Sequence, residues 1–214
     1  MPRPGRIRFL SRTAPFYDPA VQPLGFRRLW ESLARLAEQG AGTLCLDVCT
    51  GTGGVARALA RRGSRVIGFD LSPGMLRHAR RKARAAGIAD RTWWVQMDAR
   101  QIAFRDDSFP LVICSMSFHE MAEEERGQVL EEMKRVASDQ VILADYRVPT
   151  SGWQRLLFPV FRIFERLESE DFDGFTSVEL REQLEEARLV VEPPRDVALY
   201  RFWPCRLSRK EVSS

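Results

Sequence analysis

Between residues 41 and 147, short apolar runs alternate with segments of helical periodicity, the pattern of an α/β domain built on a parallel sheet. The runs at 43–48, 65–70, 92–97, 111–115 and 140–145 are the expected strands. A helix after the first carries Val55, Ala58 and Leu59 inward and stops at Gly63. Ser72 caps the next helix, with Pro73 at its first position and Gly87 past its end. A further helix, from about Ala122 to Val136, is rich in Glu at its start and Lys/Arg at its end, which suits the helix dipole.

The periodicity changes after residue 147. From Trp153 to Leu167 apolar residues fall on nearly all sides, interrupted by Pro159. Thr176-Ser177-Val178-Glu179 reads as a capping box that opens another helix. The stretches 189–191 and 197–203 close the pattern as strands. One domain is expected, divided into N-terminal lid helices (1–40), a core (41–147), a helical insert or lid (148–188) and closing strands (189–214).

Composition narrows the class. The 214 residues are 44% hydrophobic and 29% charged, ordinary for a soluble globular protein. With no run of about 18 apolar residues and no signal-type leader, a cytoplasmic location is expected. The four cysteines form no Cys-x-x-Cys pair, so neither a metal site nor a disulfide framework is expected. A net charge of +4 invites a nucleic-acid reading. The positive residues are spread over several helices and mixed with acids, and the densest group, Arg77 to Arg84, fits a solvated helix face. No nucleic-acid partner is expected.

Three strand ends carry the candidate chemistry. Asp47-Val48-Cys49-Thr50-Gly51-Thr52-Gly53-Gly54 links a strand to a helix, and glycines there let backbone approach a ligand closely. Asp70 ends the second strand about 20 residues further on, where a carboxylate can accept from both hydroxyls of an adenosine ribose. Asp98-Ala99 ends the third, where a carboxylate can accept from an adenine amino group. Carboxyl ends of adjacent parallel strands are where open α/β sheets bind ligands. Gly51-x-Gly53-x-x-Ala56 with Asp70 also matches a dinucleotide fingerprint, which keeps a nicotinamide-linked oxidoreductase as the rival reading. Asp47 and Asp98 have no task in that rival, and no second domain is expected in this sequence to hold a hydride partner. A non-catalytic cofactor-binding or partner-binding domain is the third reading.

These residues resemble the class I S-adenosylmethionine-dependent methyltransferases, particularly the ubiquinone/menaquinone-biosynthesis-like group. The matching pieces are Leu46-Asp47-Val48-x-x-Gly51-Thr52-Gly53, Gly68-x-Asp70-Leu71-Ser72-x-x-Met75-Leu76, Met97-Asp98-Ala99 and Phe104-x-Asp106-Asp107-Ser108-Phe109. Phe16-Tyr17-Asp18 and Phe26-Arg27-Arg28-Leu29-Trp30 look like that group's N-terminal helix. The resemblance implies a Rossmann-like, doubly wound, mostly parallel sheet of about seven strands with an antiparallel closing strand. It implies S-adenosylmethionine as cofactor, with Asp47, Cys49, Thr50, Gly51 and Gly53 near its methionine part and Asp70 on the ribose. Leu71, Met75, Asp98 and Ala99 would surround the adenine, and Ser115 would complete the site after the fourth strand. Cys49 departs from the pattern, standing where a glycine is usual; Pro110 and Ser138-Asp139 depart at strand starts.

Methyl transfer needs an oriented acceptor and excluded water, and needs a base only if the attacking atom loses a proton. His119, one of two histidines, follows the fourth strand and is the candidate base, with Glu120 to orient it. Tyr17, Trp30, Trp153 and Phe158 are candidates for closing a pocket over a small, lipophilic acceptor such as a quinone precursor or lipid head group. The 153–167 stretch can serve as a lid, a buried connector or a peripheral contact with a membrane surface.

Overall fold

The computed structural model describes residues 11–12, 14–15, 17–19, 25–37, 42–147 and 177–207. In chain order the elements are α1 (Phe26–Leu36), β1 (Leu44–Val48), α2 (Gly54–Arg61), β2 (Arg65–Asp70), α3 (Pro73–Ala85) and β3 (Thr92–Gln96). They continue with β4 (Phe109–Ser115), a 3₁₀ turn at Phe118–Glu120, α4 (Glu123–Val136) and β5 (Ala137–Tyr146). The last are α5 (Ser177–Glu186), β6 (Leu189–Val191), β7 (Arg195–Val197) and β8 (Tyr200–Leu207). Residues 11–12, 14–15 and 17–19 are helical as well. Trp153, Phe158 and the whole 153–167 stretch lie outside the described residues. Among the described residues no helix is long and apolar enough to cross a membrane.

The sheet order is β3-β2-β1-β4-β5-β8-β6, with β7 also paired to β8. Strands β1 to β5 are parallel, and β8 runs antiparallel to β5, β6 and β7. The expected Rossmann-like, mostly parallel sheet of about seven strands is therefore present, with eight strands among the described residues and antiparallel closing strands. Residues 197–203, expected as a single strand, fold back at Ala198-Leu199, so that Val197 pairs with Tyr200. Neither turn residue is a Gly, Asn or Asp, which is why the turn leaves no mark in the sequence. Ala198 takes φ +54°, a left-handed conformation without the usual residue type.

Two other boundaries move. Strand β4 begins at Phe109 and passes through Pro110, with a register shift between Phe109 and Leu111 that absorbs the proline. Strand β5 begins directly after α4, so Ser138-Asp139 lies within the strand instead of forming a turn before it.

Both faces of the sheet are covered, and successive residues of a strand serve opposite faces. Leu111 and Ile113 join Val66, Ile142 and Tyr200 beneath α1 and α2, where Leu29, Leu33, Val55 and Leu59 pack. Val112 and Cys114 join Leu46, Phe69, Val141 and Trp203 on the other face, beneath Val129, Leu130 and Met133 of α4 and Leu180 and Leu184 of α5. The strand order reverses between β1 and β4, which opens a crevice at their carboxyl ends. The Ser72 cap forms as expected, accepting from the Met75 amide at 3.3 Å.

A left-handed alanine costs about 1 kcal/mol or more, so Ala198→Gly is expected to raise the thermal midpoint by about 2–4 °C for a chain of this size. A thermal melt reads the change, and an unchanged or lowered midpoint contradicts the strained-turn account.

Candidate active site

The loop from β1 to α2 is organised around one carboxyl. Asp47 is 1% exposed, and its Oδ2 accepts from the Thr50 hydroxyl at 2.5 Å and from the Ala56 amide at 3.1 Å. Burial pushes this carboxyl up to about 7, against the lowering effect of those two bonds. The residue expected to hold the cofactor's amino end thus pins both limbs of the loop, and the Thr50 hydroxyl is engaged with it. The Thr50 amide donates to the Phe69 carbonyl at 2.9 Å, which ties the loop to β2.

Asp70 sits half-buried at the end of β2 and faces the same loop. Its Oδ2 accepts from the Gly51 amide at 2.9 Å and its Oδ1 from the Ser72 amide at 2.8 Å. Desolvation holds its carboxyl above the ordinary value.

The loop glycines separate into different tasks. Gly51 has φ +55°, and a Cβ built there meets nothing within 4 Å, so the backbone borders open space. Gly53 has φ +77°, but a Cβ there would lie 2.5 Å from the Trp94 ring and 3.1 Å from Ala79. Gly53 therefore secures packing against Trp94, whereas Gly51 faces the room a ligand needs. A Cβ on Gly54 would strike Trp30 at 2.2 Å. Trp30, read as a pocket-closing residue, packs on the start of α2 with the Arg57 guanidinium 5.8 Å from its ring centre.

Cys49 adopts φ +54°, the left-handed geometry in which a glycine is usual. Its thiol hydrogen-bonds with that of Cys114, which this contact and burial hold well above the usual thiol range. Met116, just beyond β4, has φ +56°. Two non-glycine residues in left-handed backbone thus flank the crevice between β1 and β4. Strain of this kind clusters at functional sites, where surrounding structure over-determines it.

Asp98 lies at the end of β3, one strand beyond Asp70, and is gripped by Arg100. The guanidinium donates from Nη2 at 2.6 Å and from Nε at 3.0 and 3.2 Å, and the Arg100 amide adds a bond at 3.0 Å. Arg100 holds the Asp98 carboxyl below its ordinary value, and its Nη1 reaches Glu125 at 3.0 Å. Met75 and Ala99 are buried, while Leu71 and Ser115 are part-exposed beside the strand ends. The Leu71 carbonyl accepts from the Gln96 side chain at 3.1 Å.

After Met116 the chain makes the 3₁₀ turn that carries His119, which is 2% exposed. Its Nδ1 lies 2.7 Å from Asp145 Oδ1 at the end of β5, whereas Glu120 Oε1 is 4.0 Å from Nε2. The orienting carboxyl is therefore Asp145, not the expected Glu120. Asp145 lies 26 positions from His119, and only the β4–β5 pairing brings it there.

A second unexpected group lies behind the loop. Asp18, 6% exposed, accepts from the Thr52 hydroxyl and pairs with Arg57 at 3.3 Å and Lys82 at 2.6 Å. Ser11 bonds to Ser72 at 2.8 Å and accepts from the Gly74 amide at 3.3 Å. The N-terminal segment thus docks on the loop and on the start of α3, with Tyr17 part-buried next to Asp18.

Residues 45–140 match the methyltransferase domain family. The chain is 34% identical over 164 residues to a demethylmenaquinone methyltransferase of Thermus thermophilus, covering 73% of this chain and 72% of that protein. It is 33% identical over 133 residues to a 2-phytyl-1,4-naphtoquinone methyltransferase of Trichormus variabilis, covering 59% and 57%. The chain belongs to the class I S-adenosylmethionine-dependent methyltransferases of the ubiquinone/menaquinone type. Among solved structures, a magnesium protoporphyrin IX methyltransferase of Synechocystis with bound S-adenosylhomocysteine shares the fold. The TM-score is 0.69 at 18% identity, over 86% of this chain and 84% of that one. The methyltransferase family requires S-adenosylmethionine, which displaces the nicotinamide reading. The site suits that cofactor: open space at Gly51, a half-buried carboxylate at Asp70, and a second carboxylate one strand further on.

The two glycines are expected to respond differently. Gly51→Ala should cost about 1 kcal/mol of stability through its left-handed φ while weakening cofactor binding at least tenfold, because the new methyl enters the ligand space. Gly53→Ala should lower stability by about 2 kcal/mol or more by overpacking Trp94. Calorimetric binding beside thermal melts separates the two, and equal losses in both measurements would contradict the assignment.

The Asp47 carboxyl gives a pH signature. Its folded value of about 7 lies above the ordinary one, so its contribution to stability is complete below about pH 4. That contribution is lost as pH rises through 7, at a slope near 1.4 kcal/mol per pH unit. Denaturant titrations of the wild type and Asp47→Asn between pH 4 and 8 should therefore diverge; parallel curves would show that Asp47 is ionised in the fold.

Proposed function

We propose that the methyl acceptor is a lipophilic quinone in its reduced, dihydroxy form. The similarity to the Thermus enzyme over 73% of the chain carries this reading, since both relatives named above act on quinones by name. An oxidised quinone ring is electron-poor and cannot attack a sulfonium carbon, whereas the reduced ring is electron-rich. S-adenosylmethionine, when bound, supplies the electrophilic methyl. Gly51 would lie beside its methionine part, and Asp70 and Asp98 would hold its nucleotide end, at the crevice between β1 and β4. His119, on the turn beyond β4, accepts the proton that the dihydroxy ring releases as its carbon or oxygen is methylated.

The enzyme works in the cytoplasm in this reading. The apolar stretch 153–167, outside the described residues, is the sequence feature suited to reaching an acceptor dissolved in a membrane.

Incubation with methyl-labelled cofactor and a reduced 2-prenyl-1,4-naphthoquinone in detergent should give a labelled product by mass spectrometry. His119→Ala should lower kcat by about 10²–10⁴-fold with the cofactor Kd unchanged. Cofactor binding without labelling of the quinol, or labelling of a different acceptor class in cell extract, would overturn the proposal.

A further inference from the structure

We propose that Asp145 is the positioning residue that makes His119 a proton acceptor, by holding the ring as the Nδ1–H tautomer with Nε2 as its basic nitrogen. The inference rests on the reading of His119 as the base and adds what sets its orientation and tautomer.

Asp145 is 2% exposed, and among the described residues its carboxyl bonds with nitrogen. Oδ1 accepts from the Tyr146 amide at 2.8 Å and faces His119 Nδ1 at 2.7 Å. Oδ2 accepts from the Phe118 amide at 3.0 Å and the His119 amide at 3.2 Å. The three backbone partners can only donate, and they occupy both oxygens, so the carboxyl presents an acceptor to the ring. An accepting oxygen 2.7 Å from Nδ1 requires that the ring nitrogen carry the hydrogen. The neutral imidazole then has its lone pair on Nε2.

The same carboxylate also fixes where that lone pair lies. It grips the backbone of the 3₁₀ turn at two successive amides and the ring at a third point, so the turn and the imidazole cannot rotate independently. The Tyr146 ring lies 4.9 Å from the His119 ring at an interplanar angle of 63°, which blocks the ring on one side. The Met116 amide donates to the Ala144 carbonyl at 2.8 Å and holds the turn's first limb on β5. Among the described residues, the titratable groups around the ring include Asp145 and Tyr146 from β5, Glu120 from the turn itself, and Cys114 from β4 near Asp145.

A carboxylate that merely capped the turn could be replaced by an amide whose oxygen takes the Phe118 and His119 amides. Asp145→Asn keeps its one oxygen on the Phe118 and His119 amides and so turns its NH₂ group toward Nδ1, which then has to accept instead of donate. The variant is expected to lose 10²-fold or more in kcat, with KM for the quinol and Kd for the cofactor within about twofold. The acid limb of its kcat–pH profile should shift.

The test has two parts. Nitrogen-15 NMR of the ¹⁵N-histidine-labelled wild type, assigned by comparison with His119→Ala, should show neutral His119 with hydrogen on Nδ1. Kinetics should show that adding Asp145→Asn to His119→Ala lowers kcat by less than about twofold. Hydrogen on Nε2 in the wild type, or an equal loss from Asp145→Asn with and without His119, would overturn the role of Asp145. A normal rate in His119→Ala alone would instead overturn the base. The wild-type spectrum decides the tautomer even if Asp145→Asn fails to fold.

Discussion

The site depends on a buried carboxyl, that of Asp47, which bridges the two limbs of the loop between β1 and α2. By accepting from Thr50 on one side and Ala56 on the other, it sets the path of every residue between them. That path sends Gly51 to the open side, Gly53 against Trp94, and the Gly51 amide to Asp70. Burying a carboxyl is costly unless it is hydrogen-bonded or neutral. Asp47 is hydrogen-bonded, and burial raises its carboxyl to about 7, toward the neutral form. The loop between β1 and α2 is thus shaped from inside, by a group that hardly reaches solvent.

Around that loop the fold concentrates strain and polar order at one place. Cys49 and Met116 hold left-handed backbone on either side of the crevice where the strand order reverses. Each costs about 1–2 kcal/mol relative to an ordinary conformation and persists because the neighbouring strands leave no other path. Beyond Met116 the chain reaches His119, and Asp145 from the next strand receives the turn and the ring together. The N-terminal segment closes the other side. Asp18 gathers Thr52, Arg57 and Lys82, so the segment that covers the loop is bound to the loop's own residues. Any movement of that segment would be felt at Thr52, next to Gly51.

Much of the core was legible from sequence because its signals are local. The apolar runs, the Ser72 cap, and the carboxylates at the ends of β1, β2 and β3 all follow from residue type and spacing. The family was legible through the resemblance of the motifs that hold Asp47, Gly51, Gly53, Asp70 and Asp98, which lie at or beside strand ends that the pattern predicts. The hairpin at Ala198-Leu199 was not legible, because nothing about Ala or Leu specifies a reversal. Pairing with β8 imposes it.

The division follows the range of the forces involved. Hydrophobic period, capping and glycine geometry act over a few residues, so the sequence by itself determined the α/β class, the cofactor loop and the acids facing it. Burial and long-range pairing act between distant segments, so only the tertiary structure decided what each side chain does. It made Asp47 a buried brace and placed Trp30 on Gly54. It brought Asp18 to Arg57 across 39 positions and gave His119 an aspartate from the neighbouring strand in place of the adjacent glutamate.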